Sequence, residues 1–275
     1  MKPNNLLNRS LIVFSLSILP LYLYSQEKVL NSDFQPEVGQ EGKDVVWVPT
    51  PQALVEKMLA LAKITPADFL IDLGSGDGRT VITAAKRGIH ALGIEYNPDM
   101  VGLSRQNAEK EGVSDMAKFT EADLFESDFS KATVITMFLL PDINMRLRPA
   151  LLDLKPGTRI VSNTFTMQDW LSDDTAMISA KDTRWNTAFL WIVPAKVEGS
   201  WKLAEGELIL IQKFQIISGT LKTGKKSVDI SEGKLRGNEI TFSADSDVYT
   251  GKVDSSKMEG MVSSRGNNNK WSATR

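Results

Sequence analysis

From about residue 45 onward the hydrophobic positions follow two alternating periods. Residues 52–63 place Leu54, Met58 and Ala62, and Val55 and Leu59, at helical spacing. Thr50 stands where a capping hydroxyl is wanted, and Pro51 suits a first helical turn. An apolar run at 69–73, a glycine-rich turn at 74–78, a helical stretch at 79–86 and a second strand-like run at 91–95 follow in order. Asn97-Pro98 opens a further helix to about residue 111, and more strands are expected at 117–120, 133–139 and 159–164. Strands alternating with helices predict a parallel sheet covered on both faces, so the fold class is α/β.

Near residue 199 the helical period disappears. Short β-prone runs at 208–217, 227–230, 239–242, 248–253 and 258–262 are separated by Gly219, Gly224, Gly233, Gly237, Gly251, Gly260 and Gly266. Read as tight turns, these glycines predict a small antiparallel all-β domain over residues 199–275, joined to residues 45–198 by an exposed segment around 195–205. Gly-Lys-Leu at 233–235 and Gly-Lys-Val at 251–253 are a weak internal repeat.

The first 25 residues differ from both. Lys2 and Arg9 precede an apolar stretch at 11–24, interrupted by Pro20 and followed by the polar Gln26-Glu27-Lys28. This is the pattern of a secretory signal cut after Ser25 or, uncleaved, of a short membrane anchor, with a buried N-terminal helix as the remaining reading. Export to the periplasm or cell envelope is expected in the first case and membrane association in the second.

Composition narrows the chemistry. The chain has 275 residues with no cysteine, one histidine (His90) and a formal net charge of -2. Disulfides, thiol catalysis and the common zinc sites are excluded, and broad neutralisation of nucleic-acid phosphates is not expected. His90 has no visible partner and suits a strand start. The methionines, with Trp47, Trp185, Trp191 and Trp201, suit packing.

The candidate chemistry lies in Asp72-Leu-Gly74-Ser75-Gly76-Asp-Gly78-Arg79. Alternate glycines after an apolar strand let a nucleotide-like ligand lie against bare backbone. Arg79 stands where a dinucleotide fingerprint has its third glycine, and no Gly-Lys-Ser/Thr follows. An acidic strand end without a phosphate-seeking lysine suits a ligand ending in an ammonium and a sulfonium. Glu95, closing the second run, is placed to accept from ribose hydroxyls, and Asp123, beyond the third, to accept from an adenine amine.

At these residues the sequence resembles the class I S-adenosylmethionine-dependent methyltransferases over approximately residues 45–195. The resemblance implies a Rossmann-like seven-stranded sheet whose last hairpin spans 176–182 and 185–194. It implies S-adenosyl-L-methionine as cofactor, held by Thr50, Asp72, Gly74, Ser75, Gly76, Gly78, Glu95, Asn97, Asp123 and Leu124, with no metal. A narrower similarity, carried by Pro49-Thr50-Pro51, Asp72–Arg79, Gly93-x-Glu95-x-Asn97-Pro98 and Phe165-x-x-x-x-Trp170, is to the lysine methyltransferases that modify the membrane subunit of ATP synthase.

The fourth strand ends Phe138-Leu139-Leu140-Pro141, without the Asn/Asp-Pro-Pro-aromatic sequence associated with methylation of base amino groups. The resemblance therefore implies a nitrogen acceptor such as a protein lysine. Phe138, Leu139, Leu140 and Pro141 are expected to shape the acceptor entrance and Trp170 to wall it, with core packing as the competing role. Asp142 suits a helix start better than an acceptor contact. The alternative function is a nucleoside-binding scaffold without turnover, presenting the β domain as its interaction surface.

Overall fold

A computed structural model describes residues 34–179 and 184–275. The N-terminal apolar stretch and the cut expected after Ser25 lie outside the described residues. Among those described, no helix is long and apolar enough to cross a membrane.

The first part is a seven-stranded sheet flanked by helices. Helix α1 (Gln52–Leu61) buries Leu54, Val55, Met58 and Leu59, the apolar face read from the sequence. There follow β1 (Phe69–Leu73), α2 (Arg79–Ala85), β2 (His90–Glu95), α3 (Pro98–Lys110), β3 (Ala117–Glu121), β4 (Val134–Met137), α4 (Pro141–Leu152) and β5 (Arg159–Asn163). Strands β6 (Asp174–Met177) and β7 (Thr187–Ile192) close the sheet in the order β3-β2-β1-β4-β5-β7-β6. All neighbours are parallel except β7, which runs antiparallel to both β5 and β6. The order reverses between β2-β1 and β4, which opens a crevice at the C-terminal ends of β1 and β4, where open α/β sheets bind ligands.

Local chemistry sets several boundaries. Asn97 caps α3 by accepting from the Asp99 amide at 2.9 Å, with Pro98 in the first turn. Thr50 does not cap α1: its hydroxyl instead accepts from Asn163 Nδ2 at 3.2 Å, and its carbonyl from Arg79 at 2.9 Å. Asp142 lies exposed in the first turn of α4. His90 is exposed at the start of β2.

The second part is a closed antiparallel barrel. Its strands are β8 (Gly199–Leu203), β9 (Gly206–Lys213), β10 (Ile216–Thr223), β11 (Lys226–Arg236), β12 (Glu239–Ala244), β13 (Asp247–Asp254), β14 (Lys257–Ser264) and β15 (Asn267–Thr274). Pairing of Ala273 with Leu203 and Thr274 with Lys202 completes the ring, which removes the free edges that an open meander would present. Every connection is two residues long, and several turn on residues other than glycine, including Phe214, Asp245 and Ser255 at positive φ. Some expected turn glycines lie within strands instead. A Cβ on Gly260 would meet the Thr250 carbonyl oxygen at 1.9 Å, so this position admits two closely approaching strands rather than a reversal.

The segment before β8 is packed, not exposed as expected. Ala195 and Val197 are buried. Gln212 accepts from the Val197 amide at 2.7 Å and donates to the Ala195 and Phe214 carbonyls. Farther along the seam, Gln215 donates to the Leu171 carbonyl at 2.7 Å, and Phe214 stacks on Trp170 with centroids 5.8 Å apart.

Candidate active site

The glycine loop between β1 and α2 is built by positive φ at Gly74, Gly76 and Gly78. A side chain on Gly76 would strike the Trp47 indole nitrogen at 2.6 Å. Gly78 has a different role from the one expected: it lies outside the cavity lining, where a Cβ would collide with Phe119 and Ser104, so it lets α2 pack on the sheet. Arg79 bonds Asp77 and the Thr50 carbonyl, which ties the approach to α1 onto the loop.

The cavity above this loop brings together Thr50, Asp72, Gly74, Ser75, Gly76, Glu95, Asn97, Asp123 and Leu124. Glu95 receives the Gly76 amide on one carboxylate oxygen and the Asn97 amide on the other, each at 3.0 Å. It therefore fixes the loop and still has lone pairs for further donors. Ser75 is buried, its side chain turned against Gly93, where a Cβ would lie 2.5 Å from the Ser75 hydroxyl, so it borders the cavity without offering that hydroxyl to it. Asp72 is buried and accepts from the Thr136 hydroxyl at 2.6 Å. Burial, reinforced by the nearby Glu95 and Asp77 carboxylates, pushes its pKa up to about 7.

The sequence pattern gave no sign of the strap over this cavity. Gln40 donates to the Met100 sulfur at 3.8 Å, Lys43 forms an ion pair with Asp123, and Trp47 borders Gly76. The Lys43 ammonium also lies 4.6 Å from the centre of the Tyr96 ring. Its hydrogen bond holds the Asp123 carboxyl below the ordinary range, and the Phe125 amide occupies the other oxygen. Asp123 therefore shares any adenine-side role with Lys43. Trp47, expected in packing, lines the cavity; its place beside the loop was visible only as an aromatic preceding Pro49-Thr50-Pro51.

At the far end, Phe138 and Leu139 line the same cavity, with Met137 and Ile143. Leu140 and Pro141 do not: they begin α4, and Leu140 is exposed on the outside. Trp170 does not wall the entrance either. It is fully buried between Trp191 and Phe214 at the seam with the barrel, because its large apolar face is covered by the second part of the chain. Among the described residues, no group of three or more His, Cys, Asp or Glu could hold a metal.

A crevice at the sheet's switch point, floored by bare glycine backbone, with a buried acid at one end and a ribose-type acid beside it, defines a class I S-adenosylmethionine-dependent methyltransferase site. A family model described as the ANTKMT methyltransferase domain matches residues 72–174. A protein-lysine N-methyltransferase of Saccharolobus islandicus is 42% identical over 153 residues, spanning 54% of this chain and 94% of the relative. The Rattus norvegicus lysine N-methyltransferase that acts on the ATP synthase C-subunit is 36% identical over 130 residues, or 47% of this chain and 60% of the relative. A crystal structure described as an RNA methyltransferase from Salinibacter ruber, in complex with S-adenosyl-L-homocysteine, is 45% identical with a TM-score of 0.51, covering 55% of this chain and 96% of that one. The chain belongs to this family of S-adenosylmethionine-dependent methyltransferases.

Bare glycine backbone and the Asp72 and Glu95 carboxylates that border the cavity fit such a cofactor. Glu95→Ala is expected to weaken S-adenosylhomocysteine binding by roughly tenfold or more, the cost of about 1.5–3 kcal/mol for hydrogen bonds to a charged group. Calorimetry on the folded variant checks this, and an unchanged affinity would remove Glu95 from the site.

Proposed function

We propose that this methyltransferase modifies the ε-amine of lysine in a protein. The observation that carries the reading is the apolar end of the cavity, where Met137, Phe138, Leu139 and Ile143 meet and none of these side chains is a base. An ammonium entering such surroundings loses hydration, which lowers its pKa and favours the neutral nucleophile. The enzyme's task is then to strip water and align the nitrogen, with no need for a strong general base.

S-adenosylmethionine supplies an electrophilic methyl group on a sulfonium. Transfer forms the nitrogen–carbon bond as the carbon–sulfur bond breaks; the bonding pair stays with sulfur, and the amine's proton passes to water. Asp72 would hold the donor's ammonium and Glu95 its ribose, while Leu139 closes the acceptor side against the glycine loop. The names of the Saccharolobus and Rattus relatives support a lysine acceptor. The description of the Salinibacter structure as an RNA methyltransferase favours RNA as the second reading.

Incubating the purified protein with methyl-labelled cofactor and the membrane and soluble fractions of its own cells tests the reading. Methyllysine after acid hydrolysis is the expected product, whereas label released by ribonuclease would replace this reading with the second. We further propose that residues 1–25 direct the chain to the membrane or across it. Mass spectrometry of the native N-terminus should find a start near Gln26 if export with cleavage is right, or an intact start in the membrane fraction if the segment is an anchor.

A further inference from the structure

Beside the cavity stand three aromatic side chains from three separate elements. Phe138 follows β4, Phe165 follows β5 and Trp185 precedes β7. Their centroids are 5.5–6.0 Å apart, with Phe138 stacked on Phe165 and edge-on to Trp185. All three are only partly buried, so the cluster is not core. It adjoins the chemistry directly: Phe138 lines the cofactor cavity, and the next residue, Leu139, has a methyl 3.1 Å from where a Cβ on Gly74 would lie.

The backbone that sets Phe165 is strained. Its amide bonds the Asn163 carbonyl two residues back at 2.7 Å, which places the intervening Thr164 at φ 63°. A β-branched residue seldom adopts this conformation, and the Thr164 amide is held there by the Thr187 carbonyl at 2.7 Å. Strain retained at the mouth of a site, where it directs an aromatic ring, has the character of a functional constraint. One ring of the cluster already faces a cation: the Arg184 guanidinium lies 5.8 Å from the Trp185 centroid.

We infer that Phe138, Phe165 and Trp185 form the wall that admits the acceptor lysine, its ammonium drawn across the ring faces and its alkyl stem then packed along them. The inference rests on the lysine reading above and deepens it. Rings attract the cation while it is still hydrated at the mouth, and the apolar end beyond Phe138 removes the water. The wall therefore selects a charged, slender side chain at entry, while deprotonation belongs to the interior. A nucleobase also stacks on such rings, but RNA brings phosphates to a cavity whose lining carries more carboxylates, among them Asp44, Asp77, Glu95 and Asp123, than cations, which are Lys43 and Arg79.

The test titrates the S-adenosylhomocysteine-loaded protein with choline and with its uncharged isostere 3,3-dimethylbutan-1-ol, in the natural chain and in Trp185→Leu, Trp185→Phe and Phe165→Leu. The natural chain is expected to prefer choline by roughly fivefold or more, and each leucine variant to lose most of that preference. Trp185→Phe should keep much of it, and S-adenosylhomocysteine affinity should stay unchanged throughout. Equal binding of the two probes, a preference that survives both leucine substitutions, or joint loss of S-adenosylhomocysteine binding in both would overturn the inference. Lysine labelling in cell fractions without any choline preference would sink this inference alone; ribonuclease-sensitive labelling would sink the lysine reading and this inference with it.

Discussion

Asp72→Asn will reduce S-adenosylhomocysteine affinity by roughly a hundredfold or more while making the cofactor-free protein more stable at about pH 8. The loss follows from placing the cofactor's ammonium beside Asp72, since a buried cation without its counter-charge typically costs about 3–5 kcal/mol. The gain follows from the empty site. Burial, with Glu95 and Asp77 nearby, raises the Asp72 pKa from 3.8 to about 7. The folded protein therefore holds this proton longer than the unfolded chain does. The associated stability is fully present below about pH 4, the unfolded value, and is lost as pH rises through about 7. Asparagine carries no charge, so its stability at this site is flat over that window, and its amide oxygen can still accept from Thr136. Cofactor affinity of the natural protein should correspondingly rise through about pH 7, as the carboxylate forms. Thermal unfolding at acidic and alkaline pH, paired with calorimetry, reads both effects. An Asp72→Asn protein that binds normally would place the ammonium elsewhere.

The second large effect concerns the seam between sheet and barrel. Phe214→Ala is expected to destabilise the whole chain by about 2–4 kcal/mol, with cofactor site and barrel unfolding together. Phe214 covers one face of the fully buried Trp170, and the Arg148 guanidinium lies 5.2 Å from its ring. Arg148 in turn bonds the Met167 carbonyl and Asp169, and Lys213 reaches Asp169 from the barrel at 3.3 Å. The Asp173 side chain is buried at the same boundary, accepting from the Ile192 amide at 2.9 Å and facing Lys234 of the barrel at 3.5 Å. Truncating Phe214 leaves a cavity against Trp170 and loosens these polar neighbours. In the natural protein, S-adenosylhomocysteine should then shift the unfolding of barrel and sheet alike, because a ligand that binds only the folded state stabilises everything that unfolds with it. Two separate transitions, only one of them shifted by the cofactor, would show that the seam does not couple the parts.

Much of the nucleotide-binding half is local and so was legible in order. The apolar run of β1, the glycines after it and the acid closing β2 each follow from nearby residues: a strand buried on both faces must be apolar, and the turn after it must reach positive φ. Capping of α3 by Asn97 was equally visible, since the cap and the amide it receives are two residues apart.

The roles of the aromatic residues were not legible. Trp170 looked like an acceptor wall, yet it is covered by Phe214, 44 positions later in the chain; Trp47 looked like packing, yet it lines the cavity, whereas Trp185 does pack, against Phe138 and Phe165. Residue type states how much apolar surface must be covered, but not which distant segment covers it. The same holds for the β domain. Its strand-rich character was apparent, whereas closure into a ring depends on two residue pairs joining β15 to β8 across some 70 positions. Gly219 and Gly260 read as turns because a flexible residue between β-prone runs suggests a reversal; the structure uses them where one strand crowds against the backbone of another. Period and local sterics thus determined which elements form, how they alternate and where the cofactor loop lies. Which surfaces meet, and so which aromatic rings border the cavity, was decided only when segments far apart in the chain competed to bury the same apolar area.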